Sequence, residues 1–400
     1  MVEQLPFKQT VVGSNPTGRT GIRQPVFFGL FFKFSFLCYN ESMRKYLITI
    51  VSAAVLMIVF SGCSLLPAKN PVKKVEFTFS QSLWKSADGG IKWEAKNKGE
   101  GKANIKDMNV LSLAVNPSNG NNVFAGLRKG GILRTDNGGE TWQFVNFQSE
   151  KVYGLEMEPI NGKTLYASGV WEKRGKIFKT EDNGENWKEL YTSSTDGPLV
   201  ISLTVDKKNP SVIYATTSSN DAIKSMDGGM SWKNIYLSDS PILKISVDAV
   251  DSNLVYFITN NGQVYRSFDG GKKFENIDDK IFASSADFDT RGFAVLKIDP
   301  NRAKHVYLAG ESGIALSRDA GENWERINSL NDPNSFPIRD IAISPFDSES
   351  MVYVSGQAAY KSTDGGVNWT TFQFNLEKTA RIIMFNPSDR NVVYLGFDAK

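Results

Sequence analysis

Carboxylates recur at fixed places in this chain. The octet Ser/Thr-x-Asp-x-Gly-x-x-Trp occurs seven times and sets Asp88, Asn137, Asp182, Asp227, Asp269, Asp319 and Asp364 at its third position. Acids repeated in this way invite two chemistries, general acid–base catalysis and calcium binding. The octet's own geometry argues against both. Glycine at the fifth position supplies the positive φ of a tight hairpin turn, and the short acid accepts hydrogen bonds from backbone N–H groups of that turn. A side chain whose lone pairs are taken by its own backbone is scaffold, and that is the expectation for all seven.

Other chemistry has few candidates. The one histidine, His305, precedes the strand-like run Val306 to Ala309, which leaves triad or imidazole-based catalysis almost without residues. Cys38 and Cys63 are the two cysteines and both lie early, so the body beyond them has no disulfide and no thiolate–imidazole metal set. The Gly-Gly pairs read as hairpin turns and not as phosphate loops. No cofactor or metal is expected. Residues 1–62 hold six of the 46 basic and two of the 43 acidic residues, so the remainder is near neutral and has no field suited to nucleic acid.

The N-terminal region reads as an address. Met43-Arg44-Lys45 is followed by an apolar run of about 15 residues, Tyr46 to Phe60, and then by Ser61-Gly62-Cys63. That is the order of a signal peptide, and the run is short of the ~20 residues needed to span a bilayer. Ser61-Gly62-Cys63 resembles a bacterial lipobox, which implies cleavage before Cys63 and lipid on its thiol, with the protein anchored on the exported side of a membrane in the cell envelope. Residues 1–42 fit no export signal, and Val11 to Thr17 resembles the translation of a transfer-RNA gene. The expectation is an upstream start chosen in error, with Met43 as initiator. The division expected is thus 1–42 extension, 43–62 signal peptide, 63–74 tether and 75–400 folded body.

The elements that carry the octets repeat with them. The closing aromatics are 49, 45, 45, 42, 50 and 45 residues apart, with Phe274 replacing tryptophan once. Between octets come an inner strand running into a turn, as in Val295 to Ile298 before Asp299-Pro300, and a β-rich strand such as Val306-Tyr307-Leu308-Ala309. With the two arms of the octet hairpin this gives four strands per ~45 residues, the period of a propeller blade. The first octet lacks an inner pair, while the last is followed by one, Ile382 to Phe385 and Val392 to Leu395. The fold expected is all-β, a single seven-bladed propeller of four-stranded blades. Its ring is closed by a blade shared between the N- and C-terminal segments.

The octet resembles the Asp box, or BNR repeat, of sialidases, xyloglucan-cleaving glycosidases, the sortilin ectodomain and the photosystem II assembly and stability factors. The resemblance implies that the octet turns lie away from the usual binding face. Sialidase-like activity implies a Phe/Tyr-Arg-Ile-Pro motif near the start of the domain, where this chain has Phe336-Pro337-Ile338-Arg339, scrambled and far downstream. Xyloglucan-cleaving relatives imply two propellers, and one is seen here. Arg291, Arg339 and Arg381 each precede an inner strand, which would gather them at the channel mouth to hold a carboxylate or acidic peptide. The function expected is therefore a monomeric, non-catalytic, membrane-tethered platform binding a protein partner, and not an enzyme. The alternative is a glycan-binding protein or glycosidase of the sialidase-like superfamily.

Overall fold

The computed structural model describes residues 81–399 apart from 101–104, 148 and 285–287. Cys63 and the expected leader, extension and tether lie outside the described residues. Seven four-stranded antiparallel sheets form a seven-bladed propeller. The innermost strands are Val110–Val115, Lys151–Met157, Val200–Val205, Ile242–Val247, Phe293–Ile298, Ile338–Ser344 and Thr379–Phe385, for blades one to seven. The seventh blade is the seam. Its two inner strands are C-terminal and its two outer strands are Leu83–Ser86 and Glu94–Ala95, with Leu83 opposite Gly396 and Ser86 opposite Val393.

Each octet builds its turn from within. The Ser or Thr hydroxyl donates to the oxygen of the third residue at 2.7–2.9 Å and accepts the fifth glycine's N–H at 2.7–3.0 Å. The same acid oxygen accepts the seventh residue's N–H at 2.8–3.0 Å. Hydrogen bonds from Asn186, Ser231 and Asn368, through backbone and side chain, hold the Asp182, Asp227 and Asp364 carboxyls at about 2. The structure adds one constraint that the sequence reading missed: the fourth residue also has positive φ, including Asn183 at 63° and Ala320 at 66°. At the fifth position the need for glycine is steric as well as torsional. A Cβ on Gly366, at φ 91°, would lie 2.3 Å from the Ile327 side chain of the preceding blade.

The closing aromatic then seals the joint between blades. Trp142, 1% exposed, packs with Leu83, Val392 and Tyr394 of the seam blade and with Leu113 and Leu133 of its own. Trp93 closes the next joint against Val352 and Phe374 of blade six. Where Phe274 replaces the indole, Tyr236 and Phe257 supply ring contacts at 5.4 and 5.0 Å. A cation on the third strand of one blade also reaches the turn of the next. Lys85 donates to the Gly138 carbonyl (2.9 Å), Arg134 to Asn183 (2.9 Å), Lys224 to Gly270 (2.7 Å) and Arg266 to Ala320 (2.7 Å). These charged side chains cross the joint to backbone acceptors that the turn itself leaves open.

Candidate functional site

The octet turns share one face of the ring with the turns that follow the inner strands, as when Gly138 N–H donates to the Asn121 carbonyl. The opposite face carries the connections between blades and the turns between middle strands. Three depressions open there, of about 690, 660 and 580 Å³. Each has an exposed phenylalanine at its edge, Phe336, Phe144 and Phe282 respectively.

The 580 Å³ depression lies between blades four and five. Asn261 and Gln263 come from a hairpin of blade four. The opposite wall is the connection to blade five, made of the short helix Asp278–Ser284 and the turn Thr290–Gly292. Ile281 anchors the helix in the core. Two carboxylates, Asp278 and Asp289, line this depression. Burial pushes the Asp278 carboxyl up, against hydrogen bonds from the Val264 N–H and the Asn276 amide. Asp289 moves the other way, held down by the Arg291 guanidinium, which donates at 3.0 and 2.8 Å to its two oxygens. One acid is biased towards its proton and the other towards its charge, the asymmetry that general acid and base roles require.

Arg291 therefore has a different place from the one expected. Arg339 and Arg381 occupy β-bulges near the starts of their strands, where the register shifts between Ile338 and Asp340 and between Ala380 and Ile382. The equivalent bulge in blade five is Ala294, so Arg291 stands three residues upstream and turns onto Asp289. The structure brings Arg339 and Arg381 together in the 690 Å³ depression between blades six and seven and leaves Arg291 apart. One carboxylate lines that depression, Asp398, and Arg128 holds it through both Nε (2.9 Å) and a terminal nitrogen.

Charges inside the channel form a separate group. Lys297 pairs with Asp340 at 3.0 Å, and Asp340 also accepts the N–H groups of Ile341 and Ile383, both at 3.0 Å. Glu156 is pushed up by burial against the pull of Lys244, Lys207 and Lys297, and burial pushes Lys244 down. Glu156, Lys207 and Lys297 line a 360 Å³ cavity ringed by prolines, including Pro117, Pro300 and Pro387, at the octet side of the channel. The sequence reading passed over this belt and the Asp278–Asp289 pair. Signals existed for both: lone charges inside apolar inner strands, and the longest spacing between closing aromatics, from Phe274 to Trp324. His305, 3.9 Å from a buried oxygen of Asp299, is pushed down by burial and lines none of these depressions. Among the described residues no three His, Cys, Asp or Glu side chains are grouped to hold a metal ion, and no helix is long and apolar enough to cross a membrane.

Comparisons with known proteins bear on these sites. The profile of the DUF6242 beta propeller domain matches residues 159–395, and that of sortilin (neurotensin receptor 3) matches 81–224. The xyloglucanase Xgh74A of Acetivibrio thermocellus is 29% identical over 207 residues, 42% of this chain and 24% of its own length. Among solved structures, the GH74 xyloglucanase of Xanthomonas campestris superposes with a TM-score of 0.60 at 14% identity, over 79% of this chain and 52% of its own. YCF48 of Cyanidioschyzon merolae gives 0.55 at 16%, over 72% and 95%. The chain thus spans about a quarter of the curated relative and about half of the solved xyloglucanase. Two expectations are corrected by these findings, the non-catalytic platform for a protein partner and the absence of enzymatic activity. The curated relative is a glycan-cleaving enzyme by name. The scrambled Phe336–Arg339 motif and the single propeller do not exclude glycoside hydrolysis, which needs two carboxylates and no imidazole.

Proposed function

This chain belongs to the DUF6242 β-propeller domain family, and from its similarity to the xyloglucanase Xgh74A we propose that it is a glycoside hydrolase acting on a xyloglucan-like polysaccharide. The observation that carries this reading is the carboxylate pair in the loop-face depression between blades four and five. Asp278, biased towards its protonated form, donates a proton to the glycosidic oxygen. Asp289, kept ionised by Arg291, either attacks the anomeric carbon or takes the proton of an attacking water. Phe282, about half exposed, offers an apolar face to a sugar ring, and the Asn261 and Gln263 amides, hydrogen-bonded to each other at 3.2 Å, line the same depression.

Release of reducing ends from xyloglucan tests the reading. Wild type should depolymerise it, and Asp278→Asn and Asp289→Asn should each lower kcat by roughly 10²–10⁴-fold while retaining binding. Unchanged turnover in both variants would sink the assignment. The anomeric configuration of the first product, followed by NMR, reports which role Asp289 plays. The ring works at the cell envelope, held by lipid on Cys63. Labelling with a palmitate analogue that persists in Cys63→Ala would remove that anchor from the scheme.

A further inference from the structure

We infer that the depression between blades six and seven binds the carboxylate of an acidic sugar, so that the polysaccharide this protein handles carries uronic acid residues. The inference rests on the glycan reading above but on a different set of residues. Arg339 and Arg381 line one 690 Å³ depression, both side chains are exposed, and neither makes a hydrogen bond, ion pair or ring contact among the described residues. Elsewhere the described arginines are engaged. Most pair with a carboxylate, Arg174 and Arg326 donate to oxygens, and Arg390 lies over the Phe346 ring.

The pairing is built by the fold. A bulge near the start of each inner strand offsets one residue, and blades six and seven place arginine there while the first five place Leu111, Tyr153, Ile201, Leu243 and Ala294. Among the described residues Asp398 is the carboxylate that lines the depression, and it is already held by Arg128 from the neighbouring blade. Two planar guanidinium groups without an internal acceptor suit the two oxygens of a carboxylate. The rest of the lining suits a sugar ring: Phe336, 60% exposed, and the side chains of Gln357, Gln373 and Tyr360.

The test uses one oligosaccharide in two forms, a uronic-acid-bearing xyloglucan oligosaccharide and its methyl ester, which differ in the charge of that one group. Calorimetric titration of wild type should show the acid binding at least ~10-fold tighter than the ester, with the advantage shrinking as salt rises. Arg339→Gln and Arg381→Gln should each abolish most of that advantage and leave ester affinity and melting temperature unchanged. Equal binding of acid and ester, or an advantage that survives both substitutions, would overturn the inference. So would a poly-glutamate peptide that binds with the same arginine dependence and excludes the oligosaccharide, since the ligand would then be an acidic peptide. Failure here leaves hydrolysis by Asp278 and Asp289 standing, and loss of that hydrolysis assignment leaves the acid-versus-ester comparison readable.

Discussion

The two faces of the ring treat charge in opposite ways. On the octet face six aspartates repeat, and each is held within its own turn by a hydroxyl and one or two N–H groups. On the loop face charges follow no repeat, yet there a raised and a lowered carboxyl share one depression and two arginines share another without a partner among the described residues. Repetition marks residues that build the scaffold. Unmet or mismatched electrostatics marks residues that face something outside it.

The largest effect that could break this contrast is kinetic. Asp289→Asn should cost roughly 10²–10⁴-fold in kcat on a cleavable glucan, whereas Asp182→Asn on the octet face should leave kcat unchanged. Within the scaffold, Trp142→Ala should lower stability by about 3–5 kcal/mol in denaturant titration, since it empties the joint at the seam. Gly366→Ala meets both a positive φ and Ile327, and should cost about 2–4 kcal/mol. Gly228→Ala meets open space at φ 72° and should cost about 1 kcal/mol, as the natural Ala320 tolerates the same position.

Acid should separate the faces as well. The octet carboxyls Asp182, Asp227 and Asp364 sit at about 2 in the fold against an ordinary 3.8. Their contribution to stability is full above about pH 4 and is lost as pH falls towards 2, so melting temperature should hold from pH 7 to 5 and fall below 4. Activity should instead follow a bell. Its rising limb reflects ionisation of Asp289, below the ordinary carboxyl range, and its falling limb deprotonation of Asp278, above that range, which together give an acidic optimum. The smallest effect is Asn137→Asp. Asn137 already accepts the Thr141 N–H and the Thr135 hydroxyl, so restoring the acid should change stability by less than about 0.5 kcal/mol.

How much of this was legible in the sequence follows from the range of the interactions. An octet's hydrogen bonds close within eight residues, and the spacing of Trp142, Trp187 and Trp232 is enough to count blades and to place the seam. The loop face is assembled from different blades, and its register depends on bulges that leave no mark in composition. Arg291 looked equivalent to Arg339 and Arg381 because each precedes or opens an apolar strand, and three residues of offset send it to Asp289 instead. Asp278 and Asp289 went unremarked for a related reason. Their opposed environments come from burial by a connector helix and from a single guanidinium, neither of which a residue type reveals.

The seam also sets the order in which the ring can close. Leu83–Ser86 pairs with Val393–Gly396, which lies far later in the chain, so blades one to six can form from neighbouring segments while the first strand keeps an open edge. A message that stops short of Val393 would leave that edge without its mate and Trp142 without Val392 and Tyr394 above it. An unpaired edge of that kind is a template for pairing with another chain, so one strand pair decides whether the ring is closed or sticky.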